Sequence, residues 1–230
     1  MTGFGPAIVF ISFGTLLFSP KEIIATSAVL DLLAGLLLAP SIGSREQPRF
    51  LLGLILAMSF GTVLGALALG IVSAEQYLLL LALAIFSLAI WFTFFRARNQ
   101  STVLRSSLPE RAAADDLAFS AFAGLCGGLF GISGPPIIWH LGRQYQKEAF
   151  RGILVTIFVA VAFVRTTSYG VTGMMNQQVL TFVLVSIPGL LLGLMLGKKA
   201  FLGVSERRFS CVVGLVLFAV AIKLLGKALG

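Results

Sequence analysis

Residues 131–136, Gly-Ile-Ser-Gly-Pro-Pro, interrupt an apolar segment that runs from 117 to 141. Proline lacks the amide N–H that a helix interior needs, but it is favoured in the first turn of a helix. Ser133 and Gly134, which precede it, allow a tight non-helical turn. We therefore predict a broken helix, in which a new half-helix starts at Pro135 inside the apolar segment.

A similar break occurs at the start of the chain, where Thr2-Gly3-Phe4-Gly5-Pro6 precedes another apolar run. Other short matches follow at nearly the same offset, and they pair Lys21-Glu22 with Lys147-Glu148, Gly61-xxx-Gly65 with Gly189-xxx-Gly193, and Val72-Ser73 with Val204-Ser205. Four matches in the same order indicate an internal duplication. Duplicated halves are typical of secondary transporters.

Composition places the chain in a membrane. Hydrophobic residues make up 58% of it and charged residues only 11%, whereas about 25% of a soluble domain is charged. A spanning helix needs roughly 20 apolar residues. We read eight apolar segments: 6–18, 23–39, 50–72, 76–95, 117–141, 152–171, 179–197 and 209–225. The sequence therefore predicts an all-α, polytopic membrane protein.

Basic residues orient these segments, because cytoplasmic loops are enriched in Lys and Arg. If all eight segments cross, each side holds eight basic residues. If 117–141 is a re-entrant hairpin, thirteen lie on one side and three on the other. The hairpin arrangement is favoured, and it makes the two halves inverted repeats. Each repeat is a broken or re-entrant hairpin plus three transmembrane helices.

The polar stretch between the halves sets the predicted domain boundaries. The first transmembrane repeat spans 1–98, with its first hairpin arm short or missing, a cytoplasmic linker spans 99–116, and the second repeat spans 117–230. We expect a multi-pass protein of the bacterial inner membrane. The basic residues behind the net charge of +8 then indicate which loops face the cytoplasm. Nucleic acid is not an expected partner.

The two breaks predict a binding site for a small anion. A helix N-terminus presents unpaired N–H groups and about half a positive charge. Two such ends from inverted halves would meet near the bilayer midplane. The predicted substrate-binding residues are Thr2, Gly3, Gly5, Pro6, Ser133, Gly134 and Pro135. The alternative is that both motifs only kink their helices.

Three ionisable residues lie within or at the end of predicted spans. Arg165 is a candidate anion ligand, because a guanidinium offers forked donors to an oxyanion. Asp31 is a candidate site for a coupling proton, and the alternative for both residues is that they form an ion pair with each other. His140 is a candidate proton relay, or simply a polar end to its helix.

The broken-helix motifs also carry a family resemblance. Together with Arg151 and Pro188-Gly189-xxx-Gly193, the runs at 131–136 and 2–6 resemble those of the sulfite exporter TauE/SafE family. The resemblance covers nearly the whole chain, and it implies a transporter of sulfite, sulfonates or related sulfur anions. We expect alternating access, with a passive anion channel as the alternative.

An intramembrane serine hydrolase is a less favoured alternative. Gly131-Ile132-Ser133-Gly134 matches the GxSG pattern of rhomboid-type proteases, but His140 would lie about 10 Å along the helix from Ser133. We therefore expect no enzyme activity. Cys126 and Cys211 stand alone, and the sequence has no nucleotide, haem or metal motif, so no cofactor or metal is expected. The expected partners are the anion and membrane lipid, and a homodimer is left open.

Small residues repeat at a spacing of four in three of the predicted spans. The sets are Gly61/Gly65, Gly124/Gly128 and Gly189/Gly193/Gly197. This spacing puts glycines on one face of a helix, where they permit close backbone approach. We interpret these faces as helix-packing surfaces.

Overall fold

The computed structural model describes residues 5–38, 47–90, 108–200, 215, 217–224 and 226. Within these residues the secondary structure is helical, as predicted, and no strand is present. Eight helices are α1 Gly5–Leu17, α2 Pro20–Leu38, α3 Pro48–Ile71, α4 Ala74–Ile90, α5 Ala114–Phe130, α6 Gly134–Leu141, α7 Lys147–Val171 and α8 Gln177–Ala200. Residues 217–224 are also helical.

Three of the described helices contain stretches long and apolar enough to cross a bilayer. These stretches are Pro48–Ile71, Ala149–Val171 and Gln177–Met195, and the shorter Glu75–Ile90 is also apolar. With helices throughout and spans of this kind, the prediction of an all-α membrane protein is confirmed.

Several helices begin before the apolar run that predicts them. α2 begins at Pro20, α5 at Ala114 and α7 at Lys147, where the apolar runs begin at 23, 117 and 152. The first turns are polar, because charged residues can occupy a helix end that reaches the membrane surface. Apolar runs therefore delimit the membrane portion of a helix and not its ends. The predicted linker 99–116 overlaps the first turn of α5, and residues 91–107 lie outside the described part.

The helices α2 and α7 pack against each other and run in opposite directions. Two contacts show this, since residue numbers rise along α2 as they fall along α7: Asp31 with Arg165, and Gly35 with Val159. Glu22 in the first turn of α2 contacts Asn176, which follows the end of α7. The Lys-Glu pair shared by the two halves lies in the first turn of each helix. The two helices that begin with a Lys-Glu pair are therefore antiparallel neighbours.

Glycines bring α3 and α5 to backbone distance. Four of them face a main-chain carbonyl of the partner helix: Gly61 and Gly65 on α3, and Gly124 and Gly128 on α5. A Cβ atom added to Gly124, for example, would collide with the Met58 carbonyl oxygen. The close packing predicted for these two glycine pairs is confirmed.

The third glycine set has a different environment. A Cβ atom added to Gly189 or Gly193 on α8 would meet no described atom within 4 Å. The environment of the side-chain position of Gly197 lies outside the described part of the chain. Within the described part of the chain, the predicted packing role is therefore not seen for this set.

The chain reverses between α5 and α6 to form a hairpin. Gly131 ends α5 in the left-handed region, with φ of 74°, which glycine adopts without the steric cost of a Cβ. At the other end of the hairpin, His140 of α6 lies 2.7 Å from Asp116 of α5 and its ring stacks on Phe119 with centroids 4.4 Å apart. The start of α5 and the end of α6 therefore lie side by side.

This hairpin joins two apolar clusters. Ile132 at the break packs with buried residues of α1, α2 and α4, whereas Ile137 and Leu141 pack with α3 and α7. The break is thus held inside the protein, against helices from both halves.

Candidate functional site

The carbonyl end of α5 is stabilised by two side chains of α7. A helix that ends inside the apolar interior leaves its last carbonyls without partners, which is costly in the absence of water. The Tyr169 hydroxyl donates to the Gly128 carbonyl at 2.6 Å, and Arg165 Nη1 donates to the Gly131 carbonyl at 3.1 Å. Because Arg165 and Tyr169 are four residues apart, they lie on one face of α7 and both donate to the end of α5.

Arg165 also pairs with Asp31, which lies across the contact between α2 and α7. Its Nη2 donates to Asp31 Oδ2 at 2.6 Å, so the ion pair predicted as one alternative for both residues is formed. The Arg165 side chain is 4% exposed and that of Asp31 34% exposed. The cation is therefore enclosed, and the carboxylate is only partly buried.

One donor of Arg165 is not used in the described part of the chain. Its Nε is buried and has no hydrogen-bond partner there. An unpaired N–H of a buried guanidinium is expensive, and a charged donor of this kind is well suited to an anionic acceptor. The guanidinium can therefore donate a further hydrogen bond to a ligand, in addition to its bonds to Asp31 and Gly131.

A new helix begins at the break after α5. α6 begins at Gly134, with Pro135 and Pro136 in its first turn and Ser133 as the residue before it. Ser133, Gly134 and Pro135 are buried. The Ser133 side chain makes no capping hydrogen bond to the first turn, where Gly134 carries a main-chain N–H and Pro135 and Pro136 carry none.

The first half contributes helices α1 and α2 to the same region. A Cβ atom added to Gly131 would lie 2.6 Å from Ile11 Cδ1 and 3.4 Å from Ser27 Oγ. α1 begins at Gly5, with Pro6 in its first turn. The helix rises by about 9 Å from Gly5 to Ile11. Thr2 and Gly3 lie outside the described residues, as do the side chains at positions 5 and 6.

A second polar cluster lies at the far end of the hairpin. Asp116 Oδ2 accepts a hydrogen bond from the Ala113 amide at 3.0 Å, and its Oδ1 lies 2.7 Å from His140 Nε2. Gln144 Nε2 is 3.4 Å from the same Oδ1. Asp116 therefore caps the first turn of α5 from its third position, and it also ties α5 to α6.

The whole arrangement can now be compared with known proteins. Residues 1–224 match the family described as "Sulfite exporter TauE/SafE". The chain belongs to the sulfite exporter TauE/SafE family. The match agrees with the resemblance seen in the broken-helix motifs, and it extends over nearly the whole length.

A curated relative of this TauE/SafE chain comes from Cupriavidus necator. It is named "Probable sulfite/organosulfonate exporter TauE" and is 32% identical over 79 residues, which cover 34% of this chain and 31% of the relative. The aligned part thus spans about a third of that protein. No solved structure matches the chain.

Ser133 and His140 of this TauE/SafE chain are not paired. Ser133 precedes the first turn of α6 and lies against Gly127, whereas His140 is in the last turn and contacts Asp116. The geometry does not bring the residues of the serine hydrolase alternative together. Among the described residues, no group of three or more His, Cys, Asp or Glu side chains could hold a metal ion.

Sequence reasoning missed three residues of these clusters. Tyr169 lies four residues after Arg165, so the helical spacing was a signal that it shares the face of the buried arginine. Asp116 and Gln144 carried no comparable signal, because they meet His140 only through the reversal of the chain at the hairpin.

Proposed function

We propose that this membrane protein carries a small sulfur oxyanion, such as sulfite or an organosulfonate, across the bacterial inner membrane. Its family and the name of its relative from Cupriavidus necator support the substrate class. The buried guanidinium of Arg165, beside the start of α6, supports a negatively charged substrate. No feature of the described residues requires a chemical reaction on it.

The observation that carries this proposal is the position of Arg165. Its guanidinium is enclosed next to the break that precedes α6, and its Nε has no partner among the described residues. An oxyanion between this group and the first turn of α6 would accept hydrogen bonds from the guanidinium and from main-chain amides. Ser133 would add a hydroxyl donor.

The first half is proposed to complete the site through the start of α1. Thr2, Gly3 and Gly5 would present a second set of main-chain N–H donors, and Pro6 would favour the start of the helix there. Arg165 lies six residues before the end of α7, which is about 9 Å of helix. This position supports an anion that binds inside the span, at the level of the break.

The antiparallel packing of α2 and α7 supports two inverted repeats, at 1–98 and 117–230. A two-fold axis in the membrane plane reverses the direction of matching helices. The contact between α2 and α8 has its counterpart in the contact between α7 and α3, as such an axis requires. In our proposal, one repeat rocks against the other and exposes the anion to each side in turn.

The proposal is tested by flux of methanesulfonate in liposomes that contain the purified protein. A carrier gives saturable uptake, and unlabelled methanesulfonate inside the liposomes accelerates the entry of labelled anion. A passive channel gives uptake that does not saturate and is not accelerated in this way. Absence of anion flux above that of empty liposomes would contradict the proposal itself.

The site is tested by removing the ion pair as a unit, with Arg165→Gln and Asp31→Asn together. The double change leaves no unpaired buried charge, which would otherwise destabilise the fold. Loss of charged hydrogen bonds worth about 1.5–3 kcal/mol predicts binding weaker by about 10- to 100-fold.

A matched control is available in the exposed pair of Arg49 and Glu110, whose atoms are 2.6 Å apart. Arg49→Gln with Glu110→Gln removes one arginine and one carboxylate far from the break. We expect wild-type affinity in this variant. Equal loss in both double variants, or in neither, would contradict the placement of the anion at Arg165.

A further inference from the structure

The pairing of Arg165 with Asp31 has a consequence for charge balance during transport. Without substrate, the guanidinium and the carboxylate neutralise each other at 2.6 Å. An anion that joined them would leave a net negative charge in an apolar interior, which is strongly unfavourable. The site therefore needs either a second cation or the loss of the charge on Asp31.

The helices α1, α2, α7 and α8 offer no second cation close to this pair among their described residues. α1 has no titratable residue, and the side chains of α8 described at 177–195 have none. On α2 the other charged residues are Lys21 and Glu22, which lie about 13–15 Å along the helix from Asp31. On α7, Arg151 is about 21 Å from Arg165.

Two tyrosines complete the surroundings, and both are neutral donors. Tyr169 donates to the Gly128 carbonyl. Tyr77 on α4 is buried, with its ring 6.4 Å from that of Phe130, and its hydroxyl has no partner in the described part of the chain. On α5, Asp115 and Asp116 lie at the far end of the hairpin. The pair thus stands apart from the other described charges of α2, α5 and α7.

Asp31 is the member of the pair that can change its charge. Arginine remains protonated in proteins, whereas a carboxylate can be neutralised by a proton. The side chain of Asp31 is 34% exposed against 4% for Arg165, so Asp31 is the less enclosed member of the pair. Only its Oδ2 is bonded to Arg165.

We propose that Asp31 takes up one proton from solvent when the substrate anion binds, so that the anion replaces it as the counterion of Arg165. The carboxylate becomes a carboxylic acid, and the guanidinium keeps its proton. On release of the anion, Asp31 returns the proton to the solvent on that side and pairs with Arg165 again. Anion and proton thus cross together, and the loaded site carries no net charge. This step rests on the proposed anion site.

The test measures proton uptake by the purified protein on addition of methanesulfonate, which stays ionised at all pH values used. In weakly buffered detergent solution, a pH indicator reports the protons bound. We expect about one proton per bound anion in the wild-type protein at neutral pH. We also expect the affinity to rise by up to about tenfold for each unit by which pH falls, where Asp31 is ionised in the empty site.

Asp31→Asn mimics the protonated carboxylate. This variant is expected to bind methanesulfonate without proton uptake and with an affinity that does not change with pH. Glu22→Gln is the matched control, because it removes the other carboxylate of α2 at a surface contact with Asn176. It is expected to retain the proton uptake and the pH dependence of the wild-type protein.

The measurement of proton uptake by the wild-type protein tests the role of Asp31 even where Asp31→Asn does not fold. Binding of methanesulfonate with no proton uptake and no pH dependence would overturn the role of Asp31 and leave the anion site standing. Unchanged proton uptake in a folded Asp31→Asn variant would also overturn it. Absence of any binding at every pH would instead contradict the proposed function.

Discussion

Tyr169 and Arg165 show how single side chains allow a helix to end inside the membrane. Each donates to a carbonyl at the end of α5, and both donors and acceptors are buried. In lipid, water does not compensate for a lost partner. At the residue scale, the break therefore depends on α7 as much as on its own prolines.

Tyr169→Phe removes the hydroxyl and leaves the Gly128 carbonyl without a donor. We expect a loss of about 1–3 kcal/mol in the free energy of unfolding. The measurement is the midpoint of thermal unfolding in detergent, where the variant should melt at a lower temperature than the wild-type protein.

Tyr77→Phe is the control for this change. The Tyr77 hydroxyl is also buried, but it has no hydrogen-bond partner among the described residues, so its removal should cost much less. An equal loss of stability in the two variants would show that the bond to Gly128 is not what stabilises the break.

At the scale of elements, Asp116 ties the two arms of the α5–α6 hairpin. Asp116→Ala removes the cap on α5 together with the contacts to His140 and Gln144. We expect a loss of about 1–3 kcal/mol in the free energy of unfolding, since both a cap and a buried charged bond disappear. Thermal unfolding in detergent again measures the change.

The neighbouring Asp115 provides the comparison, because it is exposed in the same first turn. Asp115→Ala loses only a favourable interaction with the helix dipole, worth about 0.3–1 kcal/mol. The interpretation fails where Asp115→Ala destabilises the protein as much as Asp116→Ala does.

The glycine contact between α3 and α5 gives a second prediction at this scale. Gly124→Ala places a methyl group against the Met58 carbonyl, where neither backbone can move freely. Overpacking of this kind costs about 1–3 kcal/mol. We expect lower thermal stability and a smaller yield of folded protein on gel filtration.

Gly189→Ala is the matched variant on α8. An added methyl group there would meet no described atom within 4 Å, so we expect stability close to that of the wild-type protein. Comparable destabilisation by both substitutions would mean that α8 also packs closely through this face.

At the scale of the whole molecule, the two halves make a prediction about sidedness. The matching helices α2 and α7 run in opposite directions, and inverted repeats require their first turns to face opposite sides of the membrane. Ser19 and Gln146 are exposed residues just before these two helices. They occupy nearly equivalent places in the two halves.

A membrane-impermeant maleimide applied to intact cells tests this arrangement. In a chain whose Cys126 and Cys211 are replaced by alanine, we expect Ser19→Cys to react from outside. Gln146→Cys should react only after the cells are broken. Reaction of both positions from the same side would contradict the inverted arrangement.

Much of the fold followed from local chemistry. The apolar runs located the described helices, and Pro135 and Gly134 located the start of α6, because proline and glycine act within a single turn. The glycines on α3 and α5 were recognisable from a spacing of four residues. Helix ends were less well predicted, since polar first turns do not differ in composition from loops.

The amino-acid sequence by itself determined that this chain is a helical membrane protein with a broken helix, and it predicted two related halves. Hydropathy, proline and glycine act locally, so these properties need no knowledge of the fold. Only the tertiary structure decided that Arg165 bonds both to Asp31 and to the end of α5, that Asp116 meets His140, and that α8 has no described neighbour at its glycines. Residues such as Asp31 and Arg165, which are 134 positions apart, become partners only when helices from the two halves pack together, and no local pattern encodes that contact.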